Sequence, residues 1–158
     1  MELVDLIARD AILPAVRAGS RRQAIWEIGA RARKVYGLDA GLVANGLLAR
    51  ERRGTTAVGR GVAIPHTQLP AVKSIVGLFA RLVRPVDFQA VDGGRVDLVV
   101  VLLAPDGWQP SRLCALARVC RLMRDQNLCH ALRQTTEAPA LHALITETDR
   151  QQNILYAE

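Results

Sequence analysis

The sequence is poor in aromatic residues and in cysteine, and each shortage excludes a kind of site. Aromatic residues make up 4% of the 158 residues, which leaves little material for the aromatic platforms that stack on single-stranded nucleic acids. The three cysteines, Cys114, Cys120 and Cys129, have no CxxC spacing, so neither a zinc site nor a thioredoxin-like redox centre is indicated. We interpret them as small buried hydrophobic residues of helices.

Long apolar runs are missing as well. The longest, Leu98–Ala104, has seven residues, far fewer than the ~20 that a membrane-spanning helix needs. The N-terminal sequence MELVDLIARD contains acidic residues and lacks the basic and then apolar pattern of a secretion signal. We therefore expect a cytoplasmic protein that makes no use of the membrane.

Acidic residues are outnumbered, and nearly all the cations are arginine. Lysine and arginine number 21 against 15 aspartates and glutamates, a formal net charge of +6, and only Lys34 and Lys73 are lysines. An excess of cations can indicate nucleic-acid binding. The arginines are spread along the chain, however, with clusters no larger than Arg50–Arg53. Nucleic-acid binding is kept only as a third hypothesis, which a salt-dependent gel shift would test.

The remaining composition is that of an ordinary globular protein, with half of the residues hydrophobic and 23% charged. The length predicts a single domain. We expect this domain to comprise residues 1–149 and residues 150–158 to form a flexible tail.

The pattern of helices and strands predicts the fold class. Ser20 begins a helix that Gly37 ends, and Asp39 begins a second helix that ends at Gly54. Strands follow, of which VDLVVVLLAP is a continuous apolar run typical of a central strand covered on both faces. The rest of the chain is helical, with Pro139 at the start of the last helix. Helices, then strands, then helices predict an α/β layered domain with a mixed sheet.

Only the segment from Arg50 to Gln68 has the density of polar groups expected of a functional site. Its candidate reactive group, His66, follows Pro65 and the glycine-rich segment 54–61, whose backbone N–H groups could bind an anion. Nearby arginines disfavour the imidazolium form and can hold phosphoryl oxygens, which suits phosphoryl transfer to a histidine nitrogen. The candidates for this role are Arg50, Arg52, Arg53 and Arg60. On the residues alone, a structural role for His66 stays open.

This segment also resembles a known family. RERRGTTAVGRGVAIPH is similar to the active-site segment of IIA proteins of the bacterial phosphotransferase system, in the mannitol, fructose and nitrogen-regulatory class. Downstream, PVDFQAVDGGRVDLVVVLLAP and RLMRDQNLCHALRQTTEAPALHALI resemble the family's strand–turn–strand block and its C-terminal helices. Residues 1–149 are therefore identified as a IIA type-2 domain. The family's fold implies a mixed sheet of about five strands with helices on both faces.

The resemblance implies roles for two residues. His66 matches the histidine that accepts a phosphoryl group, at Nε2, from a small histidine phosphocarrier protein, and Arg50 matches an arginine that donates to phosphoryl oxygens. No IIB or IIC sequence is present, which favours the stand-alone nitrogen-regulatory branch. The resemblance further implies target proteins in nitrogen or potassium control, no metal or organic cofactor, and a phosphohistidine carrier rather than an independent enzyme.

Arg112 departs from the family pattern, since most members have a second active-site histidine at its position. A guanidinium can also hydrogen-bond a phosphoryl group, but it is longer and permanently charged, so the histidine's role is not carried over. Two hypotheses follow: a phosphocarrier that regulates targets according to its phosphorylation state, or a protein-binding module of the same fold that is not phosphorylated. We expect Arg112 to point toward His66 and to lower the pKa of its imidazole.

Overall fold

The structure is a computed structural model that describes residues 1–107 and 109–157. Within these residues the chain forms six helices and six strands. The helices are α1 (Leu3–Leu6), α2 (Arg21–Tyr36), α3 (Ala40–Arg52), α4 (Pro110–Leu122), α5 (Gln126–Gln134) and α6 (Ala138–Tyr156). The strands are β1 (Ile7–Val16), β2 (Ala57–Gly59), β3 (Val62–Ala63), β4 (His66–Gln68), β5 (Val76–Val86) and β6 (Val96–Ala104).

The predicted starts of the two early helices are confirmed by their caps. Ser20 Oγ accepts a hydrogen bond from the Gln23 N–H at 3.1 Å, and Asp39 Oδ1 accepts one from the Leu42 N–H at 2.9 Å. Gly37 ends α2 with φ of 68°, a left-handed conformation that glycine adopts without steric cost. Side-chain caps at both starts fix where α2 and α3 begin relative to the sheet.

The sheet is mixed, as expected, and its strand order is β1-β5-β6-β3-β2. β1 pairs parallel to β5, and β5 pairs antiparallel to β6. On its other side β6 pairs parallel to β3 and then to β4, so these two short strands occupy one position in the sheet. Ile64 and Pro65 separate them, and proline has no N–H to donate. The six strands therefore fill five positions, which agrees with the expected sheet of about five strands.

β6 is the central strand, as its sequence predicts. Of its nine residues only Asp97 is partly exposed. Because successive side chains of a strand point to opposite faces, this burial means that both faces of the sheet are covered. α2 contacts β1 and β5, α3 contacts β4, α4 contacts β6, and α6 contacts β1. The α/β fold class is thereby confirmed.

A buried carboxylate joins the N-terminus, α4 and α6. Asp149 of α6 is 1% exposed, and its oxygens accept from Arg118 Nε at 2.6 Å, Arg118 Nη2 at 3.1 Å and the Leu3 N–H at 2.8 Å. Arg118 also donates to the Met1 carbonyl. Since Arg118 lies on α4, its ion pair with Asp149 fixes the position of the helix that carries Arg112.

The domain boundary expected at residue 149 falls inside α6, which continues to Tyr156. Residues 150–156, which were expected to belong to a flexible tail, continue this helix, and Glu158 lies outside the described residues. The segment has no proline or glycine to end the helix, and the Arg121 guanidinium lies 4.7 Å from the centroid of the Tyr156 ring. Among the described residues, no helix combines the length and apolarity needed to cross a membrane.

Candidate functional site

A cavity of about 490 Å³ lies at the end of the sheet where β4 and β6 finish. Its walls come from the last turns of α3, from β4, from the end of β6 with the loop after it, and from the start of α4. The described lining residues are Gly46, Ala49, Arg50, Arg53, His66, Thr67, Gln68, Ile75, Leu102, Ala104, Asp106, Arg112, Ala115 and Leu116. The structure thus brings together His66, Arg50 and Arg112, the three residues selected from the sequence.

His66 is the first residue of β4, and one of its ring nitrogens is already engaged. Nδ1 lies 2.9 Å from the Ile64 carbonyl oxygen. Because a carbonyl oxygen can only accept, Nδ1 carries the proton in this hydrogen bond. In the neutral ring, Nε2 then has a free lone pair. Nε2 is therefore the ring nitrogen whose lone pair is available to an incoming group.

The surroundings of His66 lower the pKa of its imidazole below the usual value near 6.5. Burial is the largest cause, because it disfavours the charged ring. The bond to the Ile64 carbonyl opposes this effect, the positive charges of Arg50 and Arg112 lower the pKa further, and the negative charge of Glu51 raises it. The direction agrees with the sequence-based expectation, but burial contributes more than Arg112. His66 is consequently neutral near pH 7.

Arg50 reaches the cavity from the last turn of α3. Its Nη1 donates to the Gly54 carbonyl at 2.9 Å, which anchors one side of the guanidinium and leaves its other donors for a ligand. Arg53, the C-cap of α3, also lines the cavity, whereas Arg52 and Arg60 do not belong to the described lining. Two of the four candidate arginines of this segment are therefore placed at the site.

In the glycine-rich segment 54–61, from whose sequence an anion site was expected, three backbone N–H groups are bound inside the protein. The Thr56 N–H donates to Glu51 Oε2 at 3.3 Å, and the Arg60 N–H donates to Asp92 Oδ2 at 3.0 Å. The Ala57 N–H donates to the Thr55 hydroxyl. These donors are used inside the protein, two of them on its own carboxylates, so guanidiniums rather than backbone N–H groups face the cavity.

Arg112 lies in the first turn of α4, where Pro110 occupies the start of the helix. Within residues 1–107 and 109–157, no carboxylate oxygen lies within 4.0 Å of Arg50, Arg53 or Arg112. Asp106 is the one acidic residue of the described lining. With His66 neutral, the lining has two net positive charges, which suits an incoming dianion such as a phosphoryl group.

Two positions that sequence reasoning missed help to shape the site. A Cβ on Gly46 would lie 3.2 Å from Thr67 Cγ2 and 3.3 Å from Leu69 Cδ2. Glycine thus lets α3 approach β4 closely, and Arg50 follows one turn later. Gln68 donates from Nε2 to the Gly107 carbonyl at 3.0 Å, which ties the loop after β6 to the strand of His66. The sequence signal that could have identified Gly46 is a glycine inside a predicted helix.

The other two histidines lie away from the cavity. His142 is buried on α6, and its Nε2 lies 2.8 Å from the Ile7 carbonyl oxygen. His130 is exposed on α5. In the described part of the chain, no group of three or more histidines, cysteines or carboxylates could hold a metal ion.

Comparisons with known proteins bear on the family of this chain. The family model described as "Phosphoenolpyruvate-dependent sugar phosphotransferase system, EIIA 2" matches residues 5–148. A nitrogen regulatory protein of Bradyrhizobium diazoefficiens is 49% identical over 145 residues, which are 92% of this chain and 95% of that protein.

Two solved structures are similar in fold. The crystal structure of nitrogen regulatory protein IIA-Ntr from Neisseria meningitidis has a TM-score of 0.83 at 30% identity, over 90% of this chain and 97% of the other. A mannitol IIA enzyme of Escherichia coli, solved in complex with phosphorylated enzyme IIB, has a TM-score of 0.74 over 89% of this chain and 98% of the other. Its identity of 19% shows a shared fold alone.

Proposed function

The chain belongs to the EIIA 2 family of the phosphoenolpyruvate-dependent sugar phosphotransferase system. We propose that it is a cytoplasmic regulatory phosphocarrier that is phosphorylated on Nε2 of His66. The supporting observation is the hydrogen bond from Nδ1 to the Ile64 carbonyl at 2.9 Å, which leaves Nε2 as the free nitrogen of a neutral ring at a cationic cavity. A neutral imidazole nitrogen is the form that can attack phosphorus.

The donor in this proposal is a phosphohistidine of a histidine phosphocarrier protein. The Nε2 lone pair attacks phosphorus, a new P–N bond forms, and the donor's P–N bond breaks with its electron pair returning to the donor ring. The His66 ring keeps its Nδ1 proton and gains positive charge, which the Ile64 carbonyl stabilises. Arg50 and Arg112 stabilise the equatorial oxygens of the transferred group.

Regulation follows from the change of charge at the cavity. A phosphoryl group adds about −1.5 to −2 charges, which offsets the net positive charge of the lining. Because the His66 ring gains one positive charge in the same step, target proteins would meet a strongly cationic cavity in one form and a weakly cationic one in the other. The names of the relatives support a role in nitrogen regulation. They do not extend to potassium control.

The decisive experiment incubates the protein with phosphoenolpyruvate, the general phosphotransferase enzyme and its histidine phosphocarrier, and reads the product by intact-mass spectrometry. We expect one acid-labile phosphoryl group on the wild-type protein and none on His66→Ala. His130→Ala is the matched control, because His130 is an exposed histidine outside the site. Phosphate on His130 or His142, or none on the wild-type protein, would contradict the proposal.

The second candidate is a binding module of the same fold that is not phosphorylated. The observation that favours it is Arg112, a permanently charged side chain at the cavity, in a position where the family resemblance implies a histidine in most members. For such a module, His66→Ala and the wild-type protein would bind the same targets with equal affinity, whether or not the phosphorylation system is present.

A further inference from the structure

Glu51, which follows Arg50 in the sequence, is a buried carboxylate with several donors around it. It is 4% exposed. Oε2 accepts from Arg21 Nη1 and from the Thr56 N–H, both at 3.3 Å, and Oε1 accepts from the Thr56 hydroxyl. A buried carboxylate without such donors would be strongly unfavourable, so Thr56 is held against Glu51 through both its backbone and its side chain.

Thr56 is in turn connected to the ring of His66. Its carbonyl oxygen accepts from the Ile64 N–H at 3.0 Å. The Ile64 carbonyl is the group that accepts from His66 Nδ1 at 2.9 Å. Two consecutive hydrogen bonds thus lead from Thr56 to the nitrogen that determines which tautomer the ring adopts.

The same carboxylate-bearing residue fixes the segment that holds Arg50. The Gly54 N–H donates to the Glu51 carbonyl at 3.1 Å, and the Gly54 carbonyl accepts from Arg50 Nη1 at 2.9 Å. Gly54 lies between Glu51 and Thr56, so both ends of this short turn are fixed by Glu51. The positions of the His66 ring and of the Arg50 guanidinium therefore both depend on Glu51.

We propose that Glu51 and Thr56 are positioning residues that together hold His66 in the Nδ1–H tautomer and hold the Arg50 guanidinium at the cavity. We call this pair the Glu51–Thr56 brace. The inference rests on the proposed function for its effect on transfer, but its effect on the ring can be measured without any phosphoryl donor. A ring with its proton on Nε2 cannot attack phosphorus through that nitrogen, so loosening the brace slows transfer to Nε2.

The test compares Thr56→Val, which keeps the shape and removes the hydroxyl, with Thr56→Ser, which keeps the hydroxyl. In nitrogen NMR of the unphosphorylated protein, we expect Thr56→Val to increase the fraction of the Nε2–H tautomer and Thr56→Ser to restore the wild-type ring. The transfer rate should fall roughly ten- to a hundred-fold in Thr56→Val, as misplaced reacting groups do. Thr135→Val is the control, since it removes a hydroxyl bonded to the Ala131 carbonyl at the end of α5.

Glu51→Gln tests the charge of the carboxylate separately from the shape of its side chain. It removes the negative charge that raises the pKa of His66, so the NMR titration of the ring should shift to lower pH. A wild-type tautomer in Thr56→Val would overturn the brace, even if transfer slows. If the wild-type protein is not phosphorylated at all, the proposed function fails, and the tautomer measurement still decides on the brace.

Discussion

Two groups of arginines differ in the partners that the protein gives them, and the contrast shows which of these arginines serve the fold. Arg118 and Arg133 each bind a carboxylate of the chain, Asp149 at 2.6 Å and Asp97 at 2.9 Å. In the described part of the chain, Arg50, Arg53 and Arg112 line the cavity with no carboxylate within 4.0 Å. An internal partner stabilises the fold, whereas a guanidinium left without one can bind an anion from outside.

The largest effect should come from the cavity group. We expect Arg50→Ala to lower the rate of phosphoryl transfer about 10²- to 10³-fold, as loss of one preorganised donor does, with a change in the free energy of unfolding of no more than about 1 kcal/mol. Arg50→Lys should recover part of the rate, because an ammonium lacks the planar fork of a guanidinium. Rapid-quench transfer assays and urea denaturation measure the two quantities.

A wild-type transfer rate in Arg50→Ala would remove Arg50 from the site. A large loss of stability would instead place Arg50 with the structural arginines. Either result breaks the distinction between the two groups.

The internally paired group should show the opposite pattern. Asp149→Ala leaves the Arg118 guanidinium and the Leu3 N–H without their buried acceptor, and breaking a buried ion pair in this way costs about 3–5 kcal/mol. We expect that loss in urea denaturation. The folded fraction should still accept a phosphoryl group, since Asp149 is outside the cavity lining.

Asp97→Asn is the graded control for Asp149→Ala. The side chains of Arg133 and Asp97 are 33% and 22% exposed, and solvated pairs contribute about 1 kcal/mol or less. An equal loss of stability in both variants would show that burial does not determine the value of these ion pairs.

The smallest effect concerns Arg112 and the pKa of His66. Arg112 lowers this pKa, so Arg112→Gln should raise it, and Arg112→His should do so while restoring the residue type of the family. Because only the neutral ring accepts a phosphoryl group, the wild-type transfer rate should persist below the usual pKa near 6.5, and the variants should lose activity at higher pH than the wild type. NMR titration and pH–rate profiles check this.

The lowered pKa of His66 also determines how acidification changes the stability of the fold. His66 binds a proton more weakly in the folded chain than in the unfolded chain, so acidification below the usual value near 6.5 favours unfolding. Arg112→Gln should reduce this loss.

Phosphohistidine should also be discharged faster by unphosphorylated phosphocarrier in Arg112→His, because the fixed cation of the wild-type protein binds the phosphoryl group more tightly than a histidine does. If none of these quantities changes, Arg112 is a solvated surface residue.

Local signals in the sequence were sufficient for much of the fold. Ser20 and Asp39 mark helix starts through caps that depend on a few neighbouring residues. The start of β1 at Ile7, in contrast, depends on pairing with Gly77 of β5. Pairing with a distant strand leaves no local mark, and the boundary was therefore not predictable.

The residues of the candidate site also differ in whether the sequence alone could identify them. His66 and Arg50 belong to a contiguous segment, so its sequence was enough to select them. The roles of Glu51 and Gly46 depend on contacts with Arg21 and Thr67 across the fold. The glycine-rich segment misled because its sequence shows its N–H groups but not the carboxylates of Glu51 and Asp92 that bind them.

The position of His66 beside β6 has a consequence for signalling. Its backbone pairs with Leu102 of the central strand, and the Leu102 N–H donates to the Pro65 carbonyl at 3.1 Å. A residue held by the most buried strand has little freedom to move when its ring gains a phosphoryl group. The two forms of the protein would then present one shape with two charge states. A partner that distinguishes them must read electric potential rather than conformation, and its discrimination should fade as ionic strength rises.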